Sequence, residues 1–256
     1  MENIYKNIFI KDNMPPNYEI DDLTNIVILI SNPTYDWNIK VKPNARTRIF
    51  LIYLSGYDNK TQNKAKIKID CCENSHLEFR LANLSKRNLE DTYIVNLNGK
   101  NANLDYYSAC FLNNDTINRT NIQINHIYEE TFSKIKAYYV LKNKSDGFIR
   151  CSSNLIKGAA RSVASQELRL VVLDPLAKAN SDPVLLINEN DIVASHANAI
   201  GMLDQDIIFY MESRGLHKLD AEKLIVKGYF LPIIMELEEY GFEISKDIEK
   251  KLLEMI

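Results

Sequence analysis

No stretch of this chain approaches the length of apolar residues that a membrane-spanning helix needs, and residues 1–6 carry an acid instead of the apolar run of a secretory signal. Membrane insertion and export are set aside, and the expected location is the cytoplasm. An excess of positive charge is also missing. With 31 Lys and Arg against 34 Asp and Glu, the formal net charge is -3. The basic residues are dispersed, so the chain offers no field for gripping nucleic acid or an anionic bilayer. Cysteine is scarce: Cys71 and Cys72 are adjacent, and Cys110 and Cys151 stand far apart. That spacing fits neither a disulfide framework nor a paired C-x-x-C zinc site, and reads as reduced thiols buried mostly in strands. Glycine is scarce too, with 8 residues. No G-x-x-x-x-G-K-(S/T) loop, G-x-G-x-x-G turn or G-x-S-x-G elbow occurs, which argues against ATP hydrolysis and nucleophilic catalysis by this chain. Asn, Ile and Lys are abundant, the usage of an AT-rich genome, and the turns accordingly favour Asn and Lys over Gly.

What is present is alternation. At 256 residues and 46% hydrophobic, the chain can build a sizeable core. From about Asn25 to Val193 the apolar residues recur every second position, the signature of half-buried strands. Residues 37–41, 65–69, 77–81, 122–127 and 135–140 are examples. Polar clusters at 57–60, 98–101, 113–115 and 143–147 read as the turns between them. Many short strands at even spacing fit a sandwich, a barrel or a β-solenoid, and no clean repeat chooses among them.

After Gly201 the period becomes helical. Asp204 can cap a helix through Ile207, Ile208 and Met211 that stops near Gly215. Ala221, Leu224, Ile225, Gly228 and Tyr229 fall on one face of a second helix, which Pro232 is expected to kink or restart. A third follows Ser245, with Ile248, Leu252 and Met255 as its stripe. The expected division is an irregular segment over 1–24, a β core over 25–202 and a small helical domain over 203–256.

The densest group of short motifs lies between Asp182 and Gly228. It runs Pro183-Val184-Leu185-Leu186-Ile187, Asp191-Ile192-Val193-Ala194-Ser195-His196, Gly201, Phe209-Tyr210, Ser213-Arg214-Gly215 and then the helix from Ala221. That succession resembles the C-terminal part of the SufB/SufD proteins of iron-sulfur cluster assembly. The resemblance is firm from about Ile122 to Gly228 and fades upstream. It implies a right-handed parallel β-helix followed by C-terminal helices.

By the same resemblance His196 matches the histidine that in SufD-type members lies at the interface with the SufB-type partner. It is therefore a candidate cluster-assembly residue and a candidate iron ligand, neutral imidazole being a good donor to such metals. On the residues alone, a turn histidine bonded to a carbonyl explains it as well. Ala197 and Ala177 stand where SufB-type members carry a glutamate and a cysteine, so the chain looks SufD-like and lacks a scaffold thiolate. The stretch 197–200 also departs from the family's Gly-Ala-Thr. Tyr210, Arg214, Gly215 and Asp220 fall where the family docks the SufC-type ABC ATPase; the plain reading of the same residues is a helix stop and a connection. His126 reads as structural, His76 as a surface residue and His217 as a cap or an exposed side chain. Glu129-Glu130 and Asp204 with Asp206 read as solvated faces.

The implied function is a non-catalytic SufD-like subunit, pairing through its β-helix with a SufB-like protein or as a homodimer. It would have no intrinsic cofactor, with an iron-sulfur cluster forming transiently at the interface. SufD proteins generally carry a further N-terminal helical region, and this chain looks too short to include it. Two other readings stand beside this one: a stand-alone β-helix interaction module that has lost cluster chemistry, and a carbohydrate-active β-helix enzyme with carboxylates on one strand face.

Overall fold

A computed structural model describes residues 5–12, 14–54 and 57–255. All strand pairing among them is parallel and divides by parity. One sheet holds β1 (Lys6–Lys11), β3 (Thr24–Ile30), β5 (Arg46–Tyr53), β7 (His76–Asn83), β9 (Asn103–Leu112), β11 (Phe132–Leu141), β13 (Ser162–Val172) and β15 (Ile192–Met202), in that spatial order. The other holds β2 (Asn17–Ile20), β4 (Tyr35–Val41), β6 (Tyr57–Cys71), β8 (Lys86–Leu97), β10 (Ile117–His126), β12 (Asp146–Leu155) and β14 (Lys178–Ile187). The chain thus winds from one sheet to the other and back as a parallel β-solenoid. Partners such as Arg46↔His76, His76↔Asn103, Asn103↔Phe132 and Ser162↔Ile192 show why no sequence repeat is visible. The number of residues per turn varies, and only the period-2 pattern survives.

Inward-facing rows form the core between the sheets. Ile26, Ile49, Phe79, Tyr106 and Ile135 stack in one register row, all buried. The Phe79 and Tyr106 rings lie parallel at 5.4 Å. Each such side chain contributes roughly 1.5–3 kcal/mol by leaving water.

The corners explain the asparagines better than genome composition does. Asn44, Asn74 and Asn101 end successive passages from the even to the odd sheet, with φ of 64°, 55° and 58°. Asn114 and Asn143, at 60° and 58°, occupy corners on the other side. Asparagine is among the few side-chain-bearing residues that adopt this left-handed region readily. The amides also stack: Asn101 Nδ2 donates to Asn74 Oδ1 at 3.0 Å, and Asn74 Nδ2 to Asn44 Oδ1 at 3.3 Å.

Three helices follow: α1 (Gln205–Ser213), α2 (Lys218–Glu239) and α3 (Ile244–Met255). They cover the outer face of the odd sheet. Val27, Phe50, Ile52, Ala109, Phe111 and Val140 form one apolar cluster with Val226, Phe230, Ile233, Leu237, Ile248 and Leu252. Strands β5, β9 and β11 therefore end in continuous buried runs, the pattern of a sheet covered on both faces. Arg80 pins α2 to the sheet, binding Glu236 at 2.8 Å, Asp105 at 2.9 Å and Glu78 at 3.1 Å. Burial alone would raise the Glu78 carboxyl. The hydrogen bond from His76 and the charges of Arg48 and Arg80 outweigh it, holding the group down at about 2.

Four local expectations change. Within the expected irregular segment 1–24, the described residues include two strands: β1 and β2 pair with β3 and β4. The supposed turn at 57–60 belongs to β6, whose register against β8 shifts between Asp58 and Gln62. Pro232 does not restart α2, which runs unbroken across it. The buried face of α2 is Ala221, Val226, Phe230, Ile233, Ile234 and Leu237, while Leu224 is 52% exposed. The apolar residues surround this helix, so a second face had matched the helical period as well.

Candidate functional site at the open end of the solenoid

The solenoid stops at β14 and β15 without a further turn to cover them. Each is the terminal strand of its sheet, with one row of backbone donors and acceptors unpaired within it. The register makes His196 the last member of the inward row: Ile135 pairs with Gln166, and Gln166 with His196. An inward position is normally buried, but here the next turn is missing and His196 is exposed. The same holds for Ile200, 46% exposed, and Ile187, 48% exposed. Val193, Leu186 and Met202 add exposed apolar surface around them. Across the mouth Ser181 Oγ donates to Asn198 Oδ1 at 2.7 Å.

Ala197 lies beside His196 on this exposed strand, and Ala177 sits at the corner entering β14, packed against the core. Neither supplies a donor. Cys71, Cys110 and Cys151 are free and buried, and Cys72 is half-buried. Burial pushes the Cys151 thiol up to about 12 and holds Cys71 and Cys110 far above the ordinary range. They are packing thiols, poor ligands and poor nucleophiles. Among the described residues no three His, Cys, Asp or Glu side chains gather in a metal-holding cluster. His196 belongs to no such cluster among the described residues.

A second surface lies where α1 turns into α2. Asp204 caps α1, its carboxylate accepting from the Asp206 N–H at 2.9 Å. Gly215, at φ +93°, closes a Schellman end in which its own N–H reaches Glu212 O and the Leu216 N–H reaches Met211 O. Tyr210 and Arg214 meet before this turn, Gly215 makes it, and Asp220 lies beyond it in the first turn of α2. The Arg214 guanidinium stands 5.3 Å over the Tyr210 ring. Around it Phe209 is 71% exposed and Leu219 61%. Ile207, Leu216 and Leu224 are exposed apolar side chains of the same two helices and their connection, a surplus that the sequence reading missed. The available signal was the surplus of apolar residues on α2 beyond one face. Between this corner and β15 lies a cavity of about 240 Å³, lined by Arg169, Ala199, Met202, Ile207, Ile225 and Tyr229.

The remaining histidines have other duties. His126 is buried between the Thr131 and Ser133 hydroxyls, both at 2.8 Å, and burial lowers its pKa to about 4. That is the expected structural role. His76 faces Glu78 at 3.5 Å. His217 takes the N-cap position of α2 without a side-chain bond to the helix. Glu129 and Glu130 pair with Lys100 and Arg161 at a solenoid corner. No described helix is long and apolar enough to cross a membrane.

Comparison with known proteins gives this geometry a context. The chain is 31% identical to the iron-sulfur cluster assembly protein SufD of Bacillus subtilis over 134 residues, 52% of this chain and 29% of that protein. It is 25% identical over 238 residues, 93% of the chain, to an iron-sulfur cluster assembly SufBD family protein of Mycobacterium tuberculosis, covering 27% of it. Another SufBD family protein of the same species is 34% identical over 110 residues, 38% of the chain and 28% of that protein. The chain thus spans less than a third of the length of these curated relatives. Residues 36–229, which take in the solenoid from β4 to the open end and on into α2, match the family described as "SUF system FeS cluster assembly, SufBD core domain", and the chain belongs to that family.

Proposed function

We propose that this chain acts as a non-catalytic, SufD-like subunit of an iron-sulfur cluster assembly scaffold. It joins a SufB-like protein, or a second copy of itself, through the open end of the solenoid. The observation that carries this reading is the pair of terminal strands, β14 and β15, each with one free edge, which present exposed Ile187, Val193, His196 and Ile200. A partner strand on that edge would satisfy the free backbone groups and bury the apolar side chains together. It would also supply the donors that His196 lacks, so that iron and sulfur are assembled between chains and no cofactor resides in this one.

The α1–α2 corner is the proposed dock for a SufC-type ABC ATPase. Phe209, Tyr210 and Leu219 provide an apolar anchor, and Arg214 provides several donors at its edge. Because β15 runs directly into α1, force applied at the corner reaches the strand that bears His196. Nucleotide-driven movement of the ATPases would thereby open the interface. The carbohydrate-active reading has less support, since Glu78, Asp105 and Glu236 are engaged by Arg80 beneath α2.

Anaerobic co-purification of the tagged chain with SufC-type and SufB-like proteins tests the proposal. Arg214→Glu is expected to release the ATPase while leaving the solenoid contact. His196→Ala is expected to keep both partners and lose cluster build-up. Unchanged cluster build-up in His196→Ala would instead favour an interaction module without cluster chemistry.

A further inference from the structure

The inward row that ends in His196 is apolar or aromatic for most of its length, from Ile8 through Ile26, Ile49, Phe79 and Tyr106 to Ile135. It becomes polar only in its last two places. Gln166 occupies the last closed turn and is 1% exposed. An amide in that position is unfavourable unless its polar atoms are matched.

Half of the amide is matched. Gln166 Nε2 donates to Ser153 Oγ at 2.8 Å and to the Val184 carbonyl at 3.2 Å. Both of its donors are thus used on the opposite sheet, and the orientation is not interchangeable. Flipping the amide would set its oxygen against the Val184 carbonyl. The other half is unmatched: Oε1 is buried and, among the described residues, has no hydrogen-bond partner. A buried acceptor left this way is destabilising, and such an atom calls for an explanation.

The side chain in register directly above Gln166, on the strand that closes this end, is His196. We propose that Gln166 is the positioning residue for His196. In this arrangement the His196 ring turns inward from the exposed position it has in the structure, and one imidazole N–H reaches the fixed amide oxygen, which locks the ring in a single tautomer. The bare nitrogen is then turned out of the solenoid mouth toward the incoming ligand. Histidines that ligate metals commonly donate their second N–H to a carbonyl or carboxylate in this manner, which sets both orientation and basicity. The inference rests on the reading of His196 as an interface ligand, but its geometry can be tested without any partner.

The test is tautomer assignment of His196 in the full chain by two-bond 1H–15N correlation after 15N-histidine labelling, with His196→Ala to identify the signals. The expected result is one neutral tautomer in the wild type and a mixture in Gln166→Met, which keeps side-chain length but has no acceptor. Ser153→Ala, which removes one anchor of the amide, is expected to relax the ring part of the way. A tautomer mixture in the wild type overturns the proposal, whether or not either variant folds. A single tautomer that persists in folded Gln166→Met overturns it as well. Failure of the cluster-assembly role would show separately, as unchanged cluster build-up in His196→Ala with the lock in place.

Discussion

Asp91 is the most exposed point of the solenoid's energetics, because its carboxyl is buried between the sheets and held by hydroxyls. Thr120 Oγ1 donates to it and also meets the Tyr139 hydroxyl. Tyr93 bonds it as well and lies 3.3 Å from the Tyr53 hydroxyl. Burial raises its pKa from 3.8 to about 7, and the bonds from Thr120 and Tyr93 only partly offset this. The folded state therefore holds the Asp91 proton more tightly than the unfolded state does. Its contribution is fully present below pH 3.8 and is lost as the pH rises through about 7. With 1.36 kcal/mol per pH unit, the loss between pH 5 and pH 8 is about 3 kcal/mol.

His126 has the opposite sign. Its pKa falls from 6.5 to about 4, so its contribution is lost as the pH drops through that interval. The two slopes oppose each other in mild acid, and the wild-type profile by itself hides both. Asp91→Asn isolates one of them, since an amide keeps the acceptor for Thr120 and cannot ionise. Urea denaturation at pH 5 and pH 8 is the assay. The stability of Asp91→Asn relative to wild type should be about 3 kcal/mol more favourable at pH 8 than at pH 5. A relative stability that does not change with pH would refute the reasoning, because the carboxylate would then carry no burial penalty.

Other substitutions test the remaining joints. Arg80→Met strands Glu78, Asp105 and Glu236 under α2, and should cost about 3 kcal/mol in urea denaturation, with α2 and α3 losing hydrogen-exchange protection first. Gly215→Ala forces a side chain into φ +93° and should cost about 1 kcal/mol. Asn101→Ala should cost about as much as Gly215→Ala, and Asn101→Gly should be near neutral, because the corner needs a left-handed residue more than it needs the amide. Phe209→Ser should change stability by less than about 0.5 kcal/mol and yet weaken capture of the ATPase in a pull-down, which separates docking from folding.

Much of the β architecture was readable because alternation is local. The runs at 37–41, 65–69 and 135–140 all lie in strands. Pairing was not readable, since partners such as Ser162 and Ile192 meet only through the winding of the whole turn. The outer cover was hidden for a related reason: the buried ends of β5 and β11 reflect α2 and α3, far along the chain. His196 stood out through its motif, but its place in an inward row follows from register, and Gln166 carries no motif at all. On α2 the choice between two apolar faces depended on which one met the sheet. Leu219 and Leu224 stayed exposed.

Hydrogen exchange on the anaerobically assembled complex addresses the central claim most directly. In the isolated chain the amides of β15 that point away from β13 are unpaired within the sheet and should exchange quickly. On assembly, protection should appear over residues 192–202 and in β14, together with the α1–α2 corner once the ATPase is bound. Protection confined to the outer face of the even-numbered sheet, with β15 still exchanging freely, would contradict pairing through the open end.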